Sequence, residues 1–377
     1  MADKPKKPYP DFPLFPHATN RWAKKIKGKL HYFGPWRDPD GALEKYLSVR
    51  DDLHAGRTPR PDGGVTVREL LNRFLTSKHG RVATGDLSPR TFPMYRATCG
   101  RLDARLGNRP VEGISPEDFD QLRTVLSQGR GPYALGNEIR HVRMVFKYAY
   151  DAGLIDRPVN FGPHFTLPTK RLMRLARAAT GLRMLEADEL RSVLASSSGV
   201  LEAMILLGVN CGFGQTDIAN LTLSSIDLNE GWIEHPRPKT GVHRRCPLWP
   251  ETVKAVRIAI DNRPQAVEAS DNSLAFLTAR GLRWVRPGIR GAYADSIGPA
   301  FSRLLTDLGL KREKLSFYAL RHTFETIAGE SKDQVAVNAV MGHADNSMAA
   351  VYRERISDER LQAVVDVVRA WLWPEGM

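Results

Sequence analysis

Between Tyr318 and Thr326 the chain reads YALRHTFET, and this stretch constrains the fold more than any other. Leu320, Phe324 and Ile327 recur at i, i+4 and i+7, which predicts a helix with one core-facing apolar side. Arg321 and His322 stand at the head of that side. A buried guanidinium is costly unless a carboxylate or another anion meets it. A fold that buries this helix must therefore bring an anion to Arg321, from its own acids or from outside.

Composition favours an outside source. The chain has 377 residues, 42% of them hydrophobic, enough for two or three folded domains. Its formal net charge is +13 and its pI about 9.7, which points to a polyanionic partner, nucleic acid being the commonest. No run of about 18 apolar residues exists, so a membrane span is not expected. The first residues, MADKPKKPYPDFPLFP, lack the apolar core of a secretion signal. Cys99, Cys211 and Cys246 have no paired spacing, which speaks against a disulfide framework or zinc site and for a reducing cytoplasm. A metal held by His322 and His343 would lack a third spaced ligand, so no metal or other cofactor is expected.

Two Pro/Gly-rich joints, AGRTPRPDGG (Ala55 to Gly64) and RPVNFGPHFTLPTK (Arg157 to Lys170), divide the chain; the second runs into a basic stretch, RLMRLARAATGLR. Residues 1–60 carry 13 Lys and Arg against 7 Asp and Glu. Within them, RWAKKIKGKLHYFGPW alternates Trp22, Lys24 and Ile26 with a turn at Gly28, which predicts a short hairpin. Its Lys24, Lys25, Lys27 and Lys29, interleaved with aromatics, suit a DNA groove. Residues 65–175 read as helical. Thr66 and Glu69 form a capping box, and two Ser-Pro pairs open later helices, the first of them carrying Arg90 at its start. The helix NEIRHVRMVFKYAYDAG sets Ile139, Val142, Phe146 and Ala149 against a stripe of Arg140, Arg143 and Lys147, a pattern that suits a phosphate backbone. Residues 180–377 read as helices interrupted by a strand–turn–strand, GWIEHPRPKTGVHRRCPLW, that places Lys239 on its tip. The fold class expected is mainly α with small β-sheets.

Four pieces of the last segment share a chemistry. Lys239 lies on a hairpin tip; YALRH contains Tyr318, Arg321 and His322; Gly342, a helix stop, precedes His343; Tyr352 follows nine residues later. Metal-free cleavage of a phosphodiester needs a nucleophile, cations on the non-bridging oxygens and an acid for the leaving oxygen. A tyrosine, arginines and a lysine fill those roles.

This pattern resembles the tyrosine recombinase, or phage integrase, family, whose signature is His-x-x-Arg-His, then Leu-Gly-His, then Tyr nine residues on. The resemblance covers nearly the whole chain. It implies a catalytic domain over 180–377, a helical SAM-like core-binding domain over 65–175 and a small β arm-binding domain over 1–60, the two larger parts clamping a duplex. It implies site-specific integration or recombination for a mobile element. Tyr352 would attack a DNA phosphate to give a 3′-phosphotyrosine, Arg321 would hold that phosphate, Lys239 would protonate the leaving oxygen and His343 would hydrogen-bond the phosphate. Neither metal nor ATP would be needed. It also implies a homotetramer on two duplexes, in the cytoplasm at the nucleoid, with the C-terminal helix ISDERLQAVVDVVRAWL docked on the next subunit or, as the alternative, packed as a core helix of its own chain.

Two positions depart from the family pattern. The arginine of Thr-Gly-Leu-Arg-x-x-Glu is Gly214 in CGFGQTD, and the first His of His-x-x-Arg is Tyr318. Arg244 and Arg245, on the returning strand, are candidates to replace the missing cation, as is an arginine from a neighbouring subunit. The GFG backbone could also bring amide donors to a phosphate. The rival readings are a binding-only relative that regulates DNA, and a type IB topoisomerase that shares the chemistry.

Overall fold

The computed structural model describes residues 4–56, 64–288, 293–345 and 347–374, which form two compact units, Met1–Thr169 and Lys170–Met377. The first joint between segments lies mostly outside the described residues.

The first unit opens with an antiparallel sheet of β1 (Phe15–His17), β2 (Arg21–Ile26) and β3 (Lys29–Pro35). Lys27 and Gly28, both at positive φ, make the two-residue turn between β2 and β3. The simple alternation read from the sequence breaks at a register shift between Trp22 and Ala23, which buries both. A helix missed in the sequence, α1 (Pro39–Ala55), packs Ala42, Tyr46 and Leu53 with Phe12, Trp22, Ile26 and Phe33 in a core of their own.

Four further helices share a second core: α2 (Val67–Ala83), α3 (Phe92–Leu106), α4 (Pro116–Ser127) and α5 (Pro132–Asp151). Thr66 caps α2 by accepting from the Glu69 N–H, and Ser115 and Asp118 complete a reciprocal capping box on α4. The first Ser-Pro pair does not start α3, which begins at Phe92 after a turn. The predicted apolar side of α5 is fully interior: Ile139, Val142, Phe146 and Ala149 are buried.

The second unit begins with α6 (Lys170–Ala178), formed by the basic stretch that follows the second joint. Then come α7 (Ala187–Ala195), α8 (Gly199–Asn210) and the short α9 (Gln215–Ala219). A small antiparallel sheet follows, of β4 (Ile226–Asp227), β5 (Trp232–Glu234) and β6 (Arg245–Pro247). After α10 (Pro250–Asp261), β7 (Val285–Pro287) pairs antiparallel with β8 (Tyr293–Asp295), a pairing unforeseen in the sequence. The remainder is helical: α11 (Ile297–Asp307), α12 (Ala319–Ala328), α13 (Gln334–Met341), α14 (Met348–Tyr352) and α15 (Asp358–Leu372).

The C-terminal helix takes the second of the two places expected for it, the core of its own chain. Leu361, Val364, Val365, Val368 and Leu372 of α15 are buried in the core of their own chain, and the Trp249 indole donates to the Val365 carbonyl at 3.0 Å. Arg360 to Asp333 and Arg369 to Glu251 tie its rim. An apolar face this long buries against the nearest apolar surface, and here its own unit provides that surface.

Candidate active site

Helix α12 is held by its apolar side. Leu320 and Phe324 are fully buried, and Gly208 of α8 lies so close that a Cβ there would come within 2.7 Å of Leu320. The same docking buries Arg321 to 2% exposure. Its guanidinium donates to the Gly212 carbonyl and, at 2.8 Å, to the Met341 carbonyl, and it lies 3.0 Å from His343 Nε2. These carbonyls stand just beyond α8 and at the end of α13, where helix dipoles favour a cation. No carboxylate among the described residues forms an ion pair with it.

The lysine hairpin is pinned beside this group. Arg237 N donates to the Val242 carbonyl and closes the loop, with Lys239 exposed at its tip. Arg237 Nη1 and Thr240 Oγ1 both donate to the Gly342 carbonyl, at 3.3 and 3.0 Å. Gly342 caps α13 at φ 63°, and a Cβ on it would lie 2.6 Å from Arg244 Cδ and 3.0 Å from Arg237 Cβ. Only glycine meets both the backbone and the space requirement. The residues flanking Lys239 are thus bonded to Gly342, the residue just before His343.

The position of the missing arginine is occupied differently. Asp217 Oδ2 accepts the Gly214 N–H at 2.8 Å, while its Oδ1 pairs with Arg244 Nη2 at 3.1 Å. The Gly214 amide is therefore engaged within α9 and is not offered outward, contrary to one expectation from the sequence. Arg244 is sealed: it donates from Nε to the His235 carbonyl and stacks 4.3 Å above Phe213, and its Nη1 has no partner. Arg245 goes elsewhere, lying over Trp232 and bound by Glu234 and Asp358. Neighbouring strand residues face opposite ways, so only one of the two arginines can reach Asp217. The Tyr318 ring stands against Gly214, 3.5 Å from where a Cβ would be. The two departures from the family pattern are therefore neighbours in space.

Hydrogen-bond logic assigns the His343 tautomer. Arginine only donates, so Nε2 accepts from Arg321 and the proton sits on Nδ1, facing Asn338 Oδ1 at 3.3 Å and Glu325 Oε2 at 3.9 Å. Burial and then the Arg321 charge lower the His343 pKa, against the opposing pull of Glu325, so the ring is neutral near pH 7. Burial and the adjacent Arg237 likewise lower Arg321, which remains cationic because a guanidinium starts far above neutrality.

Of the residues singled out in the sequence, Lys239, Arg321, His343 and Tyr318 gather here, with Arg244 behind them. Tyr352 does not: it ends α14 at 77% exposure, and its side chain has no hydrogen bond or ring contact among the described residues. In the first unit, Lys24 lies 4.6 Å over the Tyr46 ring, and Lys25, Lys27 and Lys29 are exposed around the turn. Arg90 is exposed ahead of α3. Arg140 donates to Asn137, Arg143 to the Phe165 carbonyl and Lys147 to Asp151. Arg237 was missed in the sequence. Its signal was faint, a second cation two residues before the hairpin lysine.

Residues 170–358 match the phage integrase family. Tyrosine recombinase XerD of Proteus mirabilis is 23% identical over 286 residues, covering 74% of this chain and 86% of the relative. Tyrosine recombinase XerC of Pseudomonas putida (strain W619) is 22% identical, covering 74% and 90%. Among solved structures, a lambda integrase dimer bound to a COC′ core site aligns over 94% of this chain and 98% of its own, with TM-score 0.54 and 18% identity. The Tn1549 transposon integrase in complex with transposon right end DNA aligns over 81% and 100%, with TM-score 0.59 and 18% identity.

Proposed function

The chain belongs to the phage integrase family, and from that premise we propose that it is a site-specific DNA recombinase working through a 3′-phosphotyrosine. The observation that carries this reading is Arg321: a buried guanidinium held only by carbonyls and a neutral histidine, with Lys239 and His343 pinned beside it. A scissile phosphate is the anion such a group lacks.

In the proposed reaction the Tyr352 oxygen attacks phosphorus while the bond to the 5′ oxygen breaks. The phenol gives up its proton to water, Lys239 protonates the leaving 5′ oxygen so that it departs as a 5′-hydroxyl, and a tyrosyl phosphodiester forms. Attack by a 5′-hydroxyl of the same or a partner duplex reverses the step, so bond energy is conserved. Tyr352 must swing inward from its exposed position, and α14, a five-residue helix, is short enough to move as one piece. The division into an arm part (1–60), a core-binding part (65–175) and a catalytic part (180–377) belongs to the same proposal. So do the homotetramer on two sites and the cytoplasmic, nucleoid-bound location. A lambda integrase tetramer bound to a Holliday junction, TM-score 0.53, supports the assembly.

Covalent trapping tests the reading. Nicked duplexes tiled across the DNA flanking the gene are incubated with the protein and run on a denaturing gel. We expect an adduct from wild type and none from Tyr352→Phe. Tight binding with no adduct would instead assign a regulator that occupies its site without cutting it.

A further inference from the structure

Three arginines lie buried around the candidate site, Arg237 (8% exposed), Arg244 (1%) and Arg321 (2%), with the buried carboxylate Asp217 beside them. Asp217 is already bound to Arg244. The charge of Arg244 is therefore met, and its side chain is 0% exposed, enclosed by Phe213 and the His235 carbonyl. Arg237 differs on each count. It has no carboxylate partner among the described residues, and one nitrogen, Nη1, is taken by the Gly342 carbonyl. Its other N–H groups have no partner in the described protein, and they are not sealed from solvent as Arg244 Nη1 is. It bonds the Gly342 carbonyl while Arg321 bonds the preceding Met341 carbonyl, so the two guanidinium groups are neighbours.

Two adjacent guanidinium groups, neither with an acid, repel each other unless a shared anion lies between them. A phosphodiester has two non-bridging oxygens and matches two guanidinium donors. Resting on the recombinase reading, we propose that Arg237 is a catalytic residue of this protein, contacting the scissile phosphate and replacing the cation that Gly214 cannot supply. The replacement arrives from the lysine hairpin rather than from the start of α9. Because Gly342 holds Arg237 and Thr240 together, the second cation and the proton donor Lys239 ride on one loop. Tyr318, packed on Gly214, fills the space left beside the absent arginine.

The test uses the full chain and the nicked duplexes above, once the cleaved phosphate has been mapped. Arg237→Gln removes the charge and keeps a polar side chain, whose amide ends short of the Nη1 that bonds Gly342; Arg237→Lys keeps the charge if the first variant folds poorly. We expect Arg237→Gln to form adduct ~10²–10³-fold more slowly than wild type, the scale of losing one transition-state donor. The second readout replaces a non-bridging oxygen of the cleaved phosphate with methyl, giving a neutral methylphosphonate. With less charge to neutralise, Arg237→Gln should then fall within roughly tenfold of wild type. Cleavage of the ordinary phosphate at wild-type rate by Arg237→Gln overturns the proposal. A defect that persists unchanged on the methylphosphonate also overturns it, since Arg237 then only braces the loop. Absence of any Tyr352-dependent adduct from wild type sinks the recombinase reading itself, a result distinct from either.

Discussion

The stripe on α5 and the cluster behind α12 are both basic, and they treat their charges in opposite ways. Arg140, Arg143 and Lys147 are each answered locally, by Asn137, the Phe165 carbonyl and Asp151, and their heads meet water. Arg321 and Arg237 are buried and have no acid. The first arrangement is stable with no ligand at all. The second is incomplete by itself, because burial removes the water that would otherwise solvate the charge. A count of basic residues does not separate the two; burial without a counter-ion does.

The sharpest way to break this contrast lies inside the cluster. Arg244→Met would leave Asp217 buried without its cation and should lower stability by about 3–5 kcal/mol. Arg321→Met removes a charge that has no acid partner. It should change stability by less than about 2 kcal/mol, the lost carbonyl bonds offsetting the relieved desolvation, while adduct formation falls below detection. Chemical denaturation of both variants checks this. Equal destabilisation would mean that Arg321 is as much a structural ion as Arg244.

Acid should act next. Burial lowers the pKa of His235, His322 and His343, and of His141 in the first unit. The unfolded chain, whose histidines titrate near ~6.5, therefore binds more protons than the folded one below that pH. Stability present above pH ~6.5 is lost as pH falls toward the folded values. The carboxylates held low by arginines, Glu189 by Arg312 and Asp333 by Arg360, keep their contribution until lower pH still. Thermal midpoints should drop between pH 7.5 and 5.5, and a flat profile would contradict the burial of those rings as neutral groups.

The smallest effect belongs to the stripe. Arg140→Ala and Lys147→Ala should each leave adduct formation per bound complex unchanged, weaken DNA binding severalfold and reduce the salt slope of binding by about one. Slopes unchanged in both variants would remove α5 from the DNA-facing surface.

Much of this protein was legible in order along the chain. Short-range rules located the β2–β3 turn, the caps at Thr66 and Ser115 and the apolar side of α5, because each depends on residues within one or two turns. The spacing of Arg321, His343 and Tyr352 was likewise visible, since it is a matter of type and count. Helix α1 was lost among Asp and Gly near its start, and the shift at Trp22 was hidden because a bulge alters pairing without altering composition.

The sequence by itself thus determined the helical class of the chain, its family and the chemical types at the candidate site. Only the tertiary structure decided which cations stand together. Arg237, Arg244 and Arg245 are near neighbours in a single hairpin. One reaches the Gly342 carbonyl, one reaches Asp217 and one turns to Glu234 and Asp358. That choice rests on strand alternation combined with partners up to 113 residues away, and no local rule carries information across that distance. It also placed α15 in its own core, because a buried face is satisfied by whichever apolar surface the completed fold puts nearest.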